Sequence, residues 1–199
     1  MSVDADVSKR PWRAARIMEF PISGNFIIFA VLYILCAIPA LESSNFSPSD
    51  FIPSIVFGAF LAILGAIDAK THRLPNILTL PLLGLGLLNC YLFQPEELPW
   101  RASAALVAYL LFFGFARLYE KLRHREGLGL GDAKLFAAAG AWVGFEGLPA
   151  VLFIASASAL CVVLIAKVLG MAITSKTRVP FGPFLAFGSW IVWIYAFAT

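Results

Sequence analysis

The chain has 199 residues, 60% of them hydrophobic and 14% charged, with a net charge of +3 and a mean hydropathy of +0.85. A soluble domain carries roughly 25% charged residues, so this chain cannot cover itself with polar surface, and so small a net charge offers no basis for a nucleic-acid partner. Cys36, Cys90 and Cys161 stand singly in apolar runs, which excludes a disulfide framework or a CxxC-type zinc site and leaves them as small packing residues.

Long apolar runs separated by short polar connections predict an all-α, polytopic membrane protein with about seven transmembrane helices. Residues 1–21 form a polar, basic N-terminal segment with Lys9, Arg10, Arg13 and Arg16. Ile22 to Leu41 is an apolar run long enough to cross a hydrocarbon core of about 30 Å. A basic head before an apolar run is also the pattern of a secretory signal, but this run is long for one. The remaining core, 51–198, predicts six helices. The second span covers Phe51 to Ile67, and the third opens at Leu74-Pro75-Asn76 and runs to Phe93. The fourth covers about Ala102 to Tyr119. A short apolar helix follows over Ala133 to Phe145, only about 20 Å long at about 1.5 Å per residue, so it is either an incomplete crossing or one that starts below the membrane surface. Its Gly140 and Gly144 form a small-xxx-small pair that would admit a neighbouring helix closely. The sixth span covers Leu148 to Leu169. The seventh covers Phe181 to Phe197 and is entered through Pro180-Phe181-Gly182-Pro183.

With a cytoplasmic N-terminus, seven crossings place connections 68–73, 120–132 and 170–179 on one side. Of the 15 Lys and Arg residues, all but Arg101 then lie at or near that side, a strong positive-inside pattern. Asp68 closes one span there, and Asp132 opens another. An ionisable residue at a membrane boundary is costly and usually marks function. Taken singly, Asp68 could cap a helix or pair with Lys70 or Arg73, and Asp132 could be a helix N-cap. Taken together, they fit one chemistry. Two carboxylates held close cannot both ionise readily, so one can keep a proton and polarise a peptide carbonyl while the other takes a proton from water. Gly129 and Gly131 would allow backbone conformations closed to other residues and the close approach of a substrate strand.

These residues carry a family resemblance. Gly129-Leu130-Gly131-Asp132 is similar to the GxGD motif of membrane aspartyl proteases. Asp68 followed by a short polar stretch and Leu74-Pro75-Asn76 resembles the first-aspartate motif of type IV prepilin peptidases. Ile77 to Leu83, Asp132-Ala133-Lys134-Leu135, Gly140-Ala141-Trp142 and Pro180 to Ala186 extend it, so that it covers roughly residues 51–198. The resemblance implies a bacterial inner-membrane endopeptidase with Asp68 and Asp132 as its catalytic pair on the cytoplasmic side. Its partners would be membrane lipid and a prepilin or pseudopilin, from which it removes the short basic leader. It also implies motif or substrate-shaping roles for Gly129, Gly131, Lys134, Leu74, Pro75, Asn76, Phe181, Gly182 and Pro183. The bifunctional members carry paired CxxC motifs and a methyltransferase activity. This chain has no CxxC and reads as a short form, for which no cofactor and no metal are implied.

Lys134 could bias the charge of Asp132 or bind substrate, or simply be solvated at a helix start. His72 beside Arg73 reads as a solvated loop histidine, and Arg73, Arg123 and Arg125 read as positive-inside anchors. An acid that reads the basic leader would be Glu120 or Glu126. Alternatives left open are a presenilin-like intramembrane protease, a carboxylate-dependent transporter and a non-catalytic pilus or secretion assembly factor.

Overall fold

The computed structural model describes residue 35 and residues 48–123, 129–170 and 179–196. The predicted N-terminal segment 1–21 and, residue 35 apart, the span 22–41 lie outside the described residues. So do connections 124–128 and 171–178 and the side chains of Glu120 and Arg123. Every described element is helical: α1 (Pro48–Thr71), α2 (Asn76–Phe93), a 3₁₀ turn (Pro95–Glu97), α3 (Leu98–Arg123), α4 (Leu130–Val168) and α5 (Gly182–Tyr195). Four of these, α1 to α4, are long and apolar enough to cross a membrane.

The distribution of side chains is that of a protein dissolved in lipid. Ile52, Ile77, Trp100, Phe153 and Val168 are all exposed. The interior is instead rich in alanine, with Ala104, Ala105 and Ala108 of α3 and Ala137, Ala138, Ala139 and Ala141 of α4 all buried. Between helices in lipid, small residues permit close backbone approach and the van der Waals contact that drives association. The chain is a polytopic membrane protein on this evidence of length, composition and inverted exposure.

At about 1.5 Å per residue, a straight α4 of 39 residues would be about 58 Å long, roughly twice a hydrocarbon core. It is not straight. Gly144 has φ 70° and ψ −174°, a combination that essentially only glycine adopts. The contacts of α5 give the direction on either side of it. α5 starts with Gly182 against Asp68 of α1 and ends with Trp193 bonded to Ser54, so α1 and α5 are antiparallel. In the first arm of α4, 130–143, Trp142 packs on Phe57 and Trp193, far from the start of α5. Past Gly144, Gly147 lies against Val192, whereas Val151 and Ala155 lie against Gly188. The second arm therefore runs back the way the first arm came, and α4 is a helical hairpin. The six helices predicted over 51–198 correspond to α1, α2, α3, the two arms of α4, and α5.

Gly140 fulfils the close-packing expectation, for a Cβ there would stand 3.1 Å from the backbone of Ala104 and Ala105. Gly144 does not join it, because its backbone makes the reversal. Arg101 ties that reversal down. Its Nη1 donates to the carbonyl of Trp142, an oxygen orphaned at the end of the first arm, while Nη2 donates to Glu97 Oε2 at 3.0 Å and Gln94 Oε1 at 3.1 Å. The one cation that broke the charge asymmetry is thus engaged in a capping network.

An aromatic cluster joins the elements at the end away from the two aspartates. Phe57 stacks on Trp142 at 4.5 Å between ring centroids, and Trp193 meets Trp142 edge-on at 5.1 Å. Each indole N–H is satisfied, Trp142 by the carbonyl of Leu82 at 2.9 Å and Trp193 by Ser54 Oγ at 3.0 Å. A buried indole left without an acceptor would be costly, so these bonds set the register of α1, α2 and α5 around α4.

Candidate active site

At the opposite end the short helices begin. α5 opens with Gly182-Pro183, and the first N–H groups of a helix have no partner within it. Pro183 has none to offer. The N–H of Gly182 instead donates to Asp68 Oδ2 at 3.0 Å. Asp68 lies in the last turn of α1, where the helix dipole disfavours an anion, and the N-terminus of α5 offsets this. The contact is so close that a Cβ on residue 182 would stand 2.5 Å from Oδ2.

Asp132 is placed by a different local device. The N-cap of α4 is Gly129, with ordinary extended angles of φ −71° and ψ 134°, which corrects the expectation that Asp132 itself caps the helix. The N–H of Asp132 donates to the carbonyl of Gly129 at 3.0 Å, which makes Asp132 the third helical residue. From there its carboxylate accepts the backbone N–H of Gly129, the acidic half of a capping box. The expected backbone freedom of the two glycines is also corrected. Gly129 has no positive φ, and what matters at Gly131 is proximity, with a Cβ there standing 3.0 Å from Leu74 Cβ.

Asp68 and Asp132 are both buried and line a single cavity of about 310 Å³ with His72, Arg73, Leu74, Gly129, Leu130 and Gly131. They are near enough for the charge of Asp68 to act on Asp132. Each carboxylate is held by a backbone N–H at the start of a helix, so neither relies on a flexible partner. Leu74 is buried under Gly131, and Pro75 precedes the first residue of α2 with φ −72° and ψ 134°. Asn76 Oδ1 accepts from Lys134 Nζ at 2.6 Å, which ties the start of α2 to α4. Phe181 is half-buried, and its carbonyl accepts the N–H groups of Phe184 and Leu185, forming the first turn of α5. Leu74, Gly129 and Gly131 thus line the cavity with the two aspartates, and Gly182 reaches it through its bond to Asp68.

His72 departs from its sequence reading. It is not a solvated loop side chain, since its Nε2 is buried and has no hydrogen-bond partner among the described residues. Its backbone has φ 52°, the left-handed region that usually takes glycine at a helix end. The only signal for it in the sequence was its position, four residues after Asp68 where α1 must stop. Arg73, read as an anchor, also lines the cavity.

A type IV leader peptidase family model matches residues 55–175, which include both aspartates. The chain belongs to the type IV leader peptidase family. It is 33% identical over 183 residues to a prepilin leader peptidase/N-methyltransferase of Xanthomonas campestris pv. campestris, covering 88% of this chain and 60% of that protein. It is 42% identical over 132 residues to one from Burkholderia pseudomallei, of which it spans 42%. To a leader peptidase HopD of Escherichia coli it is 37% identical over 142 residues, which cover 71% of this chain and 92% of that protein. No solved structure matches the chain.

Proposed function

We propose that this chain is a membrane aspartyl endopeptidase that removes the short basic leader of prepilin-like or pseudopilin substrates. The observation that carries the reading is the pair itself: two buried carboxylates from different helices line one cavity, each anchored by a helix-start N–H. Two such groups share a proton, because their like charges oppose double ionisation. The ionised member takes a proton from water, and the resulting hydroxide attacks the scissile carbonyl carbon. The protonated member donates to the carbonyl oxygen as charge builds there. Collapse of the tetrahedral species breaks the C–N bond, and the leaving amine takes up the proton drawn from water. Family membership supports the substrate class.

Depth supports the membrane-face setting. α5 and the first arm of α4 both start at the cavity and have 14 residues or so, about 21 Å at about 1.5 Å per residue. With their far ends at the opposite face of a hydrocarbon core of about 30 Å, their starts would lie about 9 Å beneath the near face. By the basic-residue asymmetry this is the cytoplasmic face of the bacterial inner membrane, the side on which a basic leader would wait. Catalytic roles for Asp68 and Asp132, and shaping roles for Gly129, Gly131, Leu74, Pro75, Asn76, Lys134, Phe181, Gly182 and Pro183, belong to this proposal.

The test is Asp68→Asn and Asp132→Asn, each made separately and assayed in membranes with a prepilin substrate. Both variants should accumulate in the membrane at wild-type levels, and cleavage should fall by about 10³-fold or more, as when a member of a catalytic constellation is removed. Processing at the wild-type rate by either variant overturns the reading.

A further inference from the structure

The cavity wall includes a buried polar atom that the proposed chemistry does not use, Nε2 of His72. His72 follows α1 directly, and its N–H donates to the carbonyl of Asp68 at 2.8 Å, closing the end of the helix. This is the position where a helix turns left-handed, and at φ 52° glycine would sit without strain. A histidine costs roughly 1–2 kcal/mol there. In return the fold gains an imidazole in the wall of the cavity that contains both aspartates. Its Nε2 is shielded from solvent and unpartnered among the described residues, an arrangement that is costly unless a ligand completes it.

The surrounding groups indicate what would complete it. Asp68 and Asp132 share a single proton, which the proposed chemistry commits to the scissile carbonyl. The backbone N–H groups of Gly182 and Gly129 are already engaged by the carboxylates. Arg73 also lines the cavity but is exposed, and Lys70 is exposed on the last turn of α1. An extended substrate strand entering the cavity brings main-chain carbonyls, and each needs a donor once water is displaced. We infer that His72 is a substrate-positioning residue: its Nε2–H donates a hydrogen bond to a main-chain carbonyl of the leader strand and holds the scissile bond over Asp68 and Asp132. This rests on the peptidase reading above.

The full-length protein in lipid bicelles would be assayed with a synthetic peptide containing a basic leader, the junction and the first turns of the apolar helix. His72→Gly removes the imidazole and suits the left-handed backbone, so a purely structural role predicts unchanged kinetics and an unchanged or higher unfolding temperature. The expected result is a KM raised threefold or more with kcat nearly unchanged, the size of effect that one neutral hydrogen bond gives. His72→Gln, whose amide nitrogen reaches about as far as Nε2, should keep KM within threefold of wild type. A KM for His72→Gly within threefold of wild type overturns the inference, and so does a Gln variant no better than Gly. Asp132→Asn run in parallel separates the two levels. If the wild type cleaves, Asp132→Asn does not and His72→Gly matches wild type, only the positioning role falls. If the wild type cleaves no leader peptide, the peptidase reading falls and takes this role with it.

Discussion

An alanine at position 182 would put its Cβ 2.5 Å from Asp68 Oδ2 and 2.8 Å from Cγ. Ordinary contact begins at 3.4 Å, so Oδ2 must withdraw by 3.4 − 2.5 = 0.9 Å, or the start of α5 must move by as much. Either movement breaks the 3.0 Å bond from the Gly182 N–H. A hydrogen bond to a charged group is worth about 1.5–3 kcal/mol, and about 1.36 kcal/mol is tenfold in rate, which gives a loss of about 10- to 150-fold. A misplacement of about 1 Å at a reacting group costs about 100-fold by itself, in the same range. Initial rates of leader cleavage in proteoliposomes would measure it, with the loss falling mainly on kcat because the carboxylate is displaced. Gly84→Ala in α2 is the control, since a Cβ there meets nothing within 4 Å, and it should cleave normally. A Gly182→Ala protein that cleaves within threefold of wild type would refute the claim that this contact positions Asp68.

Two further outcomes test the frame around the site. Gly144→Ala should lower stability by about 1–3 kcal/mol in a reversible unfolding assay, because φ 70° with ψ −174° is closed to alanine; were α4 a continuous helix, alanine would instead stabilise it by up to about 1 kcal/mol. Lys134→Met and Asn76→Ala should each cost about 1 kcal/mol, and the double variant should cost clearly less than their sum, because both remove the same 2.6 Å bond. Additive losses would show that the bond contributes nothing.

Much of the candidate site was legible in sequence because the residues that meet there are of types that a lipid-dissolved chain otherwise avoids. Asp68 and Asp132 stand out against apolar surroundings, and Leu74-Pro75-Asn76 and Phe181-Gly182-Pro183 interrupt them at helix starts. Hydropathy also placed the helices, since run length is a one-dimensional property. What failed to show were facts about direction and proximity. Gly144 fits a small-xxx-small pattern and a chain reversal equally well, and only the return of Val151 and Ala155 along α5 distinguishes them. The bond from Gly182 to Asp68 spans 114 residues of sequence, and no local pattern encodes it. His72 was misread because a histidine between threonine and arginine looks solvated. Its Nε2 is buried in the wall of a cavity that it shares with Leu130 and Gly131 from the far side of the sequence, which the order of residues does not reveal.

The alanines that follow Asp132 have a consequence for how this helix can change. Ala133, Ala137, Ala138, Ala139 and Ala141 are all buried, and Gly140 touches the backbone of α3. Alanine has no rotamer to yield, so added volume anywhere on this face can be absorbed only by sliding the helix as a rigid body. The helix carries Asp132 at its start, so such a slide moves the carboxylate directly. Larger side chains two or three turns away should therefore be selected against through lost activity before lost stability, and a screen for folding alone would pass variants that can no longer cleave.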